Sequence, residues 1–441
     1  MRILHYSLGF PPYRTGGLTK FCMDLMKQQL KENHEVSLLW PGEIRILGNK
    51  TKIKKHRSVD GIDSYEVINP MPVSYDEGVA KFDAFMVPGD RETYRRLFDE
   101  LRPSVIHIHT LMGLHKSFLE EANEKGIRLV FTTHDFFPIC PKVTMFRHGQ
   151  VCSSIESCRE CGSCNCTALS LRKIQILQSP LYRSLKDNVL VRKLRKQHRD
   201  EYLSDNVTQE IQVGVPENYK RLREYYFSML KMIDVVHYNS IVTKAAYEKE
   251  FRFPNSVVIP ITHGDIKDRR KRREYNSETL RIRYLGPQSA AKGWFILRDA
   301  LDLLWKRRKD FVLDVHFNPT VSAPYIRSHG RYNYEELEQV FAETDVLVCP
   351  SIWYETFGYT VLEALSFGVP VIVSDHVGAK DILANGTGII IDHINSDKLC
   401  IVLSEISKEQ LRKMNECICD NQYVLTLSEL AESIQKKLYL C

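Results

Sequence analysis

The sequence has no apolar run close to the ~20 residues that a membrane-spanning helix needs, which argues against an integral membrane protein. Its opening stretch, MRILHYSLGFPP, lacks the apolar core of a secretory signal. Twelve cysteines without such a signal indicate a reducing, cytoplasmic setting and not a secreted disulfide scaffold. Low-complexity tracts and short repeats are also lacking. With 441 residues and a net charge of +6, the chain is expected to form about two or three globular domains.

Short apolar strands alternate with helices in both halves of the chain, which is typical of parallel sheets with helices on both faces. The first half contains four predicted strands: Arg2–Tyr6, Val36–Trp40, Val105–His109 and Arg128–Thr133. After a polar helical stretch at 167–233, six more follow: Val257–Ile261, Leu280–Leu285, Phe311–Phe317, Asp345–Cys349, Val369–Ser374 and Gly388–Ile391. The fold class is therefore α/β, with two Rossmann-like doubly wound domains at 1–255 and 256–420 that face each other across a ligand cleft.

The segment Asp345–Asp375 combines a buried strand, a loop that carries Glu355, and a helix that begins just after Gly358. Glu363 is the one charge in an apolar stretch of that helix, so two carboxylates lie near one helix N-terminus. Such an N-terminus suits a phosphate, and the carboxylates suit the hydroxyl groups of a sugar or a ribose. The alternative is a pair of solvent-facing glutamates beside an ordinary loop.

Glu355 and Glu363, in E-T-F-G-Y-T-V-L-E-A-L, resemble the E-x7-E signature of the retaining glycosyltransferases of family 4, which have the GT-B fold. The resemblance extends to the segments Phe10–Gly17, His107–His109, Thr132–Asp135 and Tyr284–Gly293. It implies a GT-B architecture in which a C-terminal helix, here at 421–441, crosses back to the first domain. Residues 140–166 would form a cysteine-rich loop on the acceptor side of that domain.

The resemblance also implies roles for individual residues. Glu363 would hold the nucleotide ribose, Glu355 the donor sugar, and Lys292 the diphosphate. His134 would lie beside the reacting sugar and act with Glu355 in catalysis. Other donor-binding positions are those of the glycine loop and of the turn before the motif helix: Gly16, Gly17, Phe357, Gly358 and Tyr359.

One position departs from the family pattern, because Pro287 stands where the family has an arginine that binds the diphosphate. Arg14, in the glycine loop, is a candidate replacement. His107 lies inside an apolar strand and is expected to be a core residue, whereas His109 fits a core role and a site role equally well.

The function implied is transfer of a sugar from a UDP- or GDP-sugar to an acceptor hydroxyl, with retention of the anomeric configuration. The acceptor would be a polysaccharide or a lipid-linked oligosaccharide. The resemblance implies no cofactor or metal at the active site, and the lack of an Asp-x-Asp near a strand end is consistent with that. Two alternatives stay open: a non-catalytic GT-B protein that only binds a ligand, and a zinc-containing nucleic-acid-binding protein. The second leaves both α/β halves unexplained, so no nucleic-acid partner is expected.

Six cysteines crowd together after His134, and their spacing suits thiolate ligation of a structural zinc ion. The expected ligands are Cys140, Cys152, Cys158 and Cys161, with Cys164 as an alternative. An iron–sulfur cluster and a reduced, metal-free loop are the competing interpretations.

The segment 171–199 has nine basic residues and a single acid, Asp187. It fits a helix on an anionic membrane surface as well as a solvated helix that packs on its own domain. The membrane interpretation predicts a protein at the inner face of the membrane that acts on a lipid-linked acceptor.

Overall fold

The computed structural model describes residues 1–45, 48, 50–147, 149–152, 157–185, 188 and 213–440. The α-helices are α1 Gly17–Lys31, α2 Arg91–Leu101, α3 Lys116–Glu124, α4 Cys161–Cys164, α5 Leu171–Leu177, α6 Pro180–Leu185, α7 Pro216–Leu230, α8 Ile241–Glu248, α9 Trp294–Trp305, α10 Leu337–Ala342, α11 Tyr359–Ser366, α12 Ser396–Glu405, α13 Lys408–Asn421 and α14 Leu427–Ile434. Short 3-10 turns lie at Tyr75–Glu77, Phe82–Phe85, Tyr334–Glu336 and Gly378–Ile382, and a π-turn, Gln435–Tyr439, follows α14.

Two sheets divide the strands. The first has the order β10-β9-β6-β5-β1-β2-β4-β3 and contains β1 Arg2–Tyr6, β2 Glu35–Pro41, β3 Lys52–Val59, β4 Ile62–Ile68, β5 Val105–Ile108, β6 Arg128–Thr133, β9 Val235–Tyr238 and β10 Ser256–Val258. The second has the order β13-β12-β11-β14-β15-β16 and contains β11 Leu280–Tyr284, β12 Phe311–Val315, β13 Ile326–Ser328, β14 Val346–Cys349, β15 Val371–Ser374 and β16 Gly388–Ile391. A small hairpin pairs β7 Phe146–Arg147 with β8 Gln150–Val151.

Both large sheets are doubly wound, as the sequence predicts, and their pairs are parallel except for β3 with β4. The central strands, such as β1, β5 and β15, are short and mostly buried on both faces, which is why they read as continuous apolar runs. The carboxyl ends of β1, β5 and β6 meet at one edge of the first sheet, where a ligand is expected to bind.

Besides the short strand β13 and the β7–β8 hairpin, which were not predicted, the sequence-based assignment differs from the structure in three places. The strand predicted at Val257–Ile261 belongs to the first sheet, because Ser256–Val258 pairs with β9 and so ends that sheet. Strand β9 itself was not predicted, nor was the antiparallel hairpin of β3 and β4 around Asp60-Gly61. An Asp-Gly turn between two apolar-polar alternations is a hairpin signal, so the sequence did contain this information.

The C-terminal helix α14 packs against the first domain, although it follows the second domain in the chain. Leu430 and Ile434 of α14 and Leu438 of the following π-turn share a core with Phe21 and Leu25 of α1. The same core includes α11 of the second domain, so it joins three elements that are far apart in sequence. The guanidinium of Arg128 donates to the carbonyl of Leu438 at 2.6 Å, which fixes the end of this segment on β6.

In the described residues no helix is both long and apolar enough to cross a membrane. The basic segment 171–199 is described only in part: α5 and α6 are seen, and 186–187 and 189–212 lie outside the described residues. Within α5 and α6, several large apolar side chains are exposed, namely Ile176, Leu177, Leu181 and Leu185.

We expect Leu430→Ala to destabilise the protein by about 2–5 kcal/mol, because the truncation leaves a cavity in the core that joins α14 to α1. Urea unfolding monitored by circular dichroism measures the change. Ser428→Ala, on the exposed face of the same helix, is the matched control and is expected to change stability by less than about 0.5 kcal/mol. Equal stability of the two variants would contradict this account of how α14 is held.

Candidate functional site

The predicted sugar-binding residue, Glu355, forms an ion pair with Lys292. The indole N–H of Trp353 donates to the same carboxylate oxygen at 3.1 Å, and the Lys292 ammonium lies 4.7 Å from the centre of the Trp353 ring. Both charged side chains are only partly buried. The structure therefore brings together a cation suited to a diphosphate and a carboxylate suited to hydroxyl groups.

The second acid of the motif, Glu363, is buried on the inner face of α11, with 4% of its surface exposed. Its Oε1 lies 3.2 Å from Nε2 of His263, and Nδ1 of His263 accepts the backbone N–H of Asp265 at 3.3 Å. Because Nδ1 accepts, the ring proton is on Nε2 and is donated to Glu363. The sequence analysis missed His263, which lies in the segment between the two sheets and has no motif signal.

Glycines shape both sides of the cleft beside these acids. Gly16, just before α1, has φ of 114°, and no atom lies within 4 Å of where a Cβ would be. Gly358, just before α11, has φ of 100°. Both conformations favour glycine strongly. A Cβ on Gly17 would lie 3.4 Å from the ring of Tyr359, so the glycine loop of the first domain faces the motif helix of the second.

His134 and Glu355, the two predicted catalytic residues, are brought to the same part of the cleft by the residue after Glu355. The Thr356 hydroxyl donates to the carbonyl of His134 at 3.4 Å. The carbonyl of Thr356 accepts the hydroxyls of Ser240 and Thr243, at the start of α8, at 2.6 and 3.0 Å. The loop that carries Glu355 is therefore fixed on the first domain. Phe357 is buried behind it, and its carbonyl accepts the N–H of Ala379.

A chain of hydrogen-bonded polar side chains lies beneath the edge of the first sheet. The donor and the acceptor of each bond can be assigned in turn, starting from a backbone carbonyl that can only accept. The Ile259 carbonyl can only accept, so His237 Nε2–H donates to it at 2.8 Å. The other nitrogen of His237, Nδ1, then accepts the Thr132 hydroxyl at 3.0 Å. That hydroxyl accepts from His107 Nε2 at 2.7 Å, and His107 Nδ1 accepts the Tyr439 hydroxyl at 2.7 Å.

The second part of the chain leads from Tyr439 to the cleft. The Tyr439 oxygen accepts the Gln29 amide N–H at 3.0 Å, and the Gln29 carbonyl oxygen accepts from His5 Nε2 at 2.7 Å. His5 Nδ1 then accepts from His109 Nε2 at 2.9 Å, and His109 Nδ1 accepts from His134 Nε2 at 3.3 Å. His134 thus carries its proton on Nε2, and its Nδ1 is the acceptor end of the chain.

This assignment requires neutral imidazoles, and burial provides them. Burial lowers the pKa of His134 to about 3 and the pKa values of His5 and His237 to about 4. It also lowers the pKa values of His107 and His109 well below their usual range, with the neighbouring histidines adding to the effect. A His134 of such low pKa suits a hydrogen-bond acceptor better than a general base at neutral pH.

His107 and His109 both belong to this chain of hydrogen bonds. His109 is fully buried, yet it contacts His134 and so supports the site directly. Ring nitrogens of His5, His107 and His109 lie within 4.8 Å of one another, a spacing that could hold a metal ion. Each ring nitrogen of the three already has a hydrogen-bond partner, so the cluster is explained without an ion.

A hydrogen bond from Tyr284 stabilises the loop that contains Pro287: the Tyr284 hydroxyl donates to the Pro287 carbonyl at 2.8 Å. Arg14 lies in the glycine loop with its guanidinium 4.4 Å from the centre of the Tyr13 ring. Its role as a replacement cation stays a prediction.

Lys20, which the sequence analysis missed, bridges Asp24 and Asp265 at 2.7 Å each and thereby ties α1 to the segment between the sheets.

The cysteine-rich loop begins six residues after His134. Cys140, Cys152, Cys161 and Cys164 line one small cavity, whereas Cys158 lies beside Cys161 and accepts from the Arg223 guanidinium at 3.8 Å. The predicted set of Cys140, Cys152, Cys158 and Cys161 is thus brought into one region, and the alternative ligand Cys164 completes the cavity.

Comparison with known proteins agrees with this geometry. The family model described as glycosyl transferases group 1 matches residues 325–421, and the model described as glycosyltransferase family 4 matches residues 15–151. Together they cover just over half of the chain and include both the acidic motif and the glycine loop. The two models match one domain each.

Among curated proteins, an uncharacterised 41.2 kDa protein in the cps region of Klebsiella pneumoniae is 26% identical over 135 residues, which are 30% of this chain and 37% of that protein. A GDP-mannose-dependent monoacylated alpha-(1-6)-phosphatidylinositol monomannoside mannosyltransferase of Corynebacterium glutamicum is 29% identical over 90 residues, 19% of this chain and 24% of that protein. The chain thus matches well under half the length of these relatives.

Among solved structures, sucrose-phosphate synthase of Thermosynechococcus elongatus superimposes with a TM-score of 0.56 at 13% identity, covering 98% of this chain and 97% of that one.

We expect NMR of the protein with ¹⁵N-labelled histidine to show His134 as the neutral Nε2–H tautomer, with no titration between about pH 8 and about pH 5.5, because its pKa is lowered to about 3. Two-bond ¹H–¹⁵N spectra distinguish the two tautomers. Tyr439→Phe removes the hydroxyl that donates to His107 and should move the signals of that ring, while Tyr423→Phe, at an exposed tyrosine, should not. A His134 that is protonated on Nδ1, or that titrates in this range, would refute the assigned direction of the chain.

Proposed function

Since the chain belongs to the GT-B glycosyltransferases of family 4, we propose that it transfers a sugar from a nucleotide-diphosphate sugar to an acceptor hydroxyl with retention of the anomeric configuration. The observation that carries this proposal is the Lys292–Glu355 ion pair beside the buried Glu363. The Lys292 cation and the two carboxylates of the motif match the three parts of such a donor: diphosphate, sugar and ribose. Non-catalytic binding of the same ligand is the competing interpretation.

In the proposed complex the diphosphate competes for Lys292, which turns from the Glu355 carboxylate to the phosphate oxygens. Glu355 is then released to accept hydrogen bonds from the hydroxyls of the donor sugar. Glu363, oriented by His263, accepts from the ribose hydroxyls. The backbone N–H groups at the start of α11 and the open side of Gly16 add donors without a Cβ in the way.

For the reaction itself, the bond between the anomeric carbon and the diphosphate oxygen breaks as the acceptor oxygen attacks from the same face of the sugar. The departing phosphate oxygen takes the acceptor's proton, so the protein need not supply a strong base. This agrees with a His134 that is neutral at physiological pH and whose Nδ1 accepts a hydrogen bond from a sugar hydroxyl. Catalysis would come from positioning and from the charge of Lys292 on the leaving diphosphate.

Calorimetry with UDP, GDP, ADP and TDP tests the donor site before any acceptor is known. We expect one diphosphate to bind, and we expect Glu363→Ala to weaken it by about 10–100-fold, the loss of roughly 1.5–3 kcal/mol from charge-assisted hydrogen bonds. Lys292→Met should also weaken binding. Glu355→Gln, by contrast, should leave the diphosphate bound while abolishing turnover of the nucleotide sugar.

The exposed Glu338→Ala serves as the matched control, and it should leave the dissociation constant unchanged. If no diphosphate binds to the wild type, the donor site proposed here is wrong, and Pro287 marks a phosphate site that has lost its function. If a diphosphate binds and Glu355→Gln still turns over donor, the catalytic assignment of Glu355 is wrong while the binding site stands.

The proposed acceptor is a polysaccharide or a lipid-linked saccharide at the cytoplasmic face of a membrane. Four exposed apolar side chains in α5 and α6 support this: Ile176, Leu177, Leu181 and Leu185, with exposed fractions from 37% to 69%. Arg172 and Lys173 lie on the same short helices, so apolar and basic groups occur together as in an interfacial segment. The matched mannosyltransferase of Corynebacterium glutamicum is named for a lipid-linked acceptor.

Flotation with phosphatidylcholine vesicles, with and without anionic phosphatidylglycerol, tests this membrane contact. We expect binding to the anionic vesicles that falls several-fold in Leu181→Ser, which removes the most exposed apolar side chain of the segment. Val321→Ser, an exposed apolar residue of the second domain, is the control and should bind as the wild type does. If both variants bind the anionic vesicles equally well, α5 and α6 do not form the membrane-binding surface proposed here.

A further inference from the structure

Four cysteine side chains line one small, partly open cavity in the loop that follows His134. The cavity has a volume of about 30 Å³, and the thiols of Cys140, Cys152, Cys161 and Cys164 share its lining with the Arg147–Glu160 ion pair. This volume is enough for a single ion or water molecule. The four thiols come from three separate parts of the loop, so any ion held there would cross-link it.

The backbone brings these positions together through short hydrogen-bonded turns. The N–H of Cys140 donates to the Phe136 carbonyl at 2.7 Å, and the N–H of Cys152 donates to the Met145 carbonyl at 2.7 Å after the β7–β8 hairpin. Cys161 and Cys164 are the first and last residues of the single-turn helix α4, where a spacing of three places them on one face. The Lys142 ammonium donates to the Cys164 carbonyl at 3.0 Å and ties the first turn to this helix.

Cys158 and Cys166 differ from these four. Cys158 is buried against the Arg223 guanidinium, which forms an ion pair with Glu250, and it does not line the cavity. Cys166 does not line the cavity. The sequence-based set, with Cys158 in place of Cys164, therefore fits the cavity less well.

We propose that Cys140, Cys152, Cys161 and Cys164 bind one structural Zn²⁺ ion in a closed four-thiolate site. Four sulfur ligands in a cavity of one-ion size fit the tetrahedral, sulfur-rich coordination that zinc prefers in structural sites. Among the described residues no three cysteine sulfurs lie within 4.8 Å of one another, so binding of the ion requires the four side chains to rotate toward it.

The site would hold the acceptor side of the cleft in shape. The loop it cross-links starts at Asp135 and Phe136, directly after His134, and the Phe136 ring lies 6.2 Å from that of Tyr354, the neighbour of Glu355. Tyr247 donates to the Asp135 carbonyl at 2.6 Å from the opposite side. Loss of the metal is therefore expected to loosen this loop without touching the donor residues Lys292 and Glu363.

Metal analysis of the protein expressed in zinc-supplemented minimal medium tests the site directly. We expect about one zinc per chain in the wild type. The variants Cys140→Ser, Cys152→Ser, Cys161→Ser and Cys164→Ser should each lose most of it, and Cys158→Ser and Cys166→Ser should keep it. Replacement by Co²⁺ should give the intense d–d absorption of a tetrahedral thiolate centre, which disappears in the ligand variants.

A wild-type measurement keeps the test valid if the serine variants fold poorly. Titration with a mercurial thiol reagent, with a chromophoric chelator present, should release the zinc as the ligand thiols react. Zinc-free wild-type protein, the absorption of an iron–sulfur cluster, or loss of zinc from Cys158→Ser with retention in Cys164→Ser would overturn the proposal. Nucleotide binding is an independent readout, so failure here leaves the donor site untouched.

Discussion

Five histidines can be buried beneath the cleft because every donor in their network meets an acceptor. An unpaired polar group at this depth would cost about 1–3 kcal/mol, so the chain from Ile259 to His134 has one permitted direction and little freedom to change. Tyr439 is the link on which both halves depend, since its hydroxyl donates to His107 and accepts from Gln29. The C-terminal π-turn that carries Tyr439 thus helps to set which ring nitrogen of His134 carries the proton.

The donor residues follow a different principle. Lys292 and Glu355 form an ion pair, and in the proposed complex a diphosphate would separate them because it offers Lys292 more charge than one carboxylate does. Glu363 needs no such exchange, because His263 already holds it in place. One acid is therefore free to rearrange with the ligand, and the other is fixed in advance.

The sequence predicted the fold well, because short continuous apolar runs that alternate with helices identify buried parallel strands. It also predicted roles for Glu355, Glu363, Lys292 and His134, and these roles stay predictions. It could not identify Gln29 or Tyr439, since nothing in a helix pattern says that an amide or a phenol will meet an imidazole from another domain. His263 escaped for the same reason, and β10 was assigned to the wrong sheet because a strand's pairing partner is set by tertiary contacts.

The basic hairpin strand at the end of the first sheet has a consequence for how copies of the protein meet. Strand β3 is the open edge of eight strands, and it carries Lys52, Lys54, Lys55 and Arg57 on largely exposed positions. Unpaired edge strands invite the same strand of another molecule, and like charges in register make that pairing unfavourable. The antiparallel turn at Asp60-Gly61 thus places a positively charged strand at the edge of the parallel sheet. Charge repulsion between two copies of this strand protects the protein against edge-to-edge aggregation.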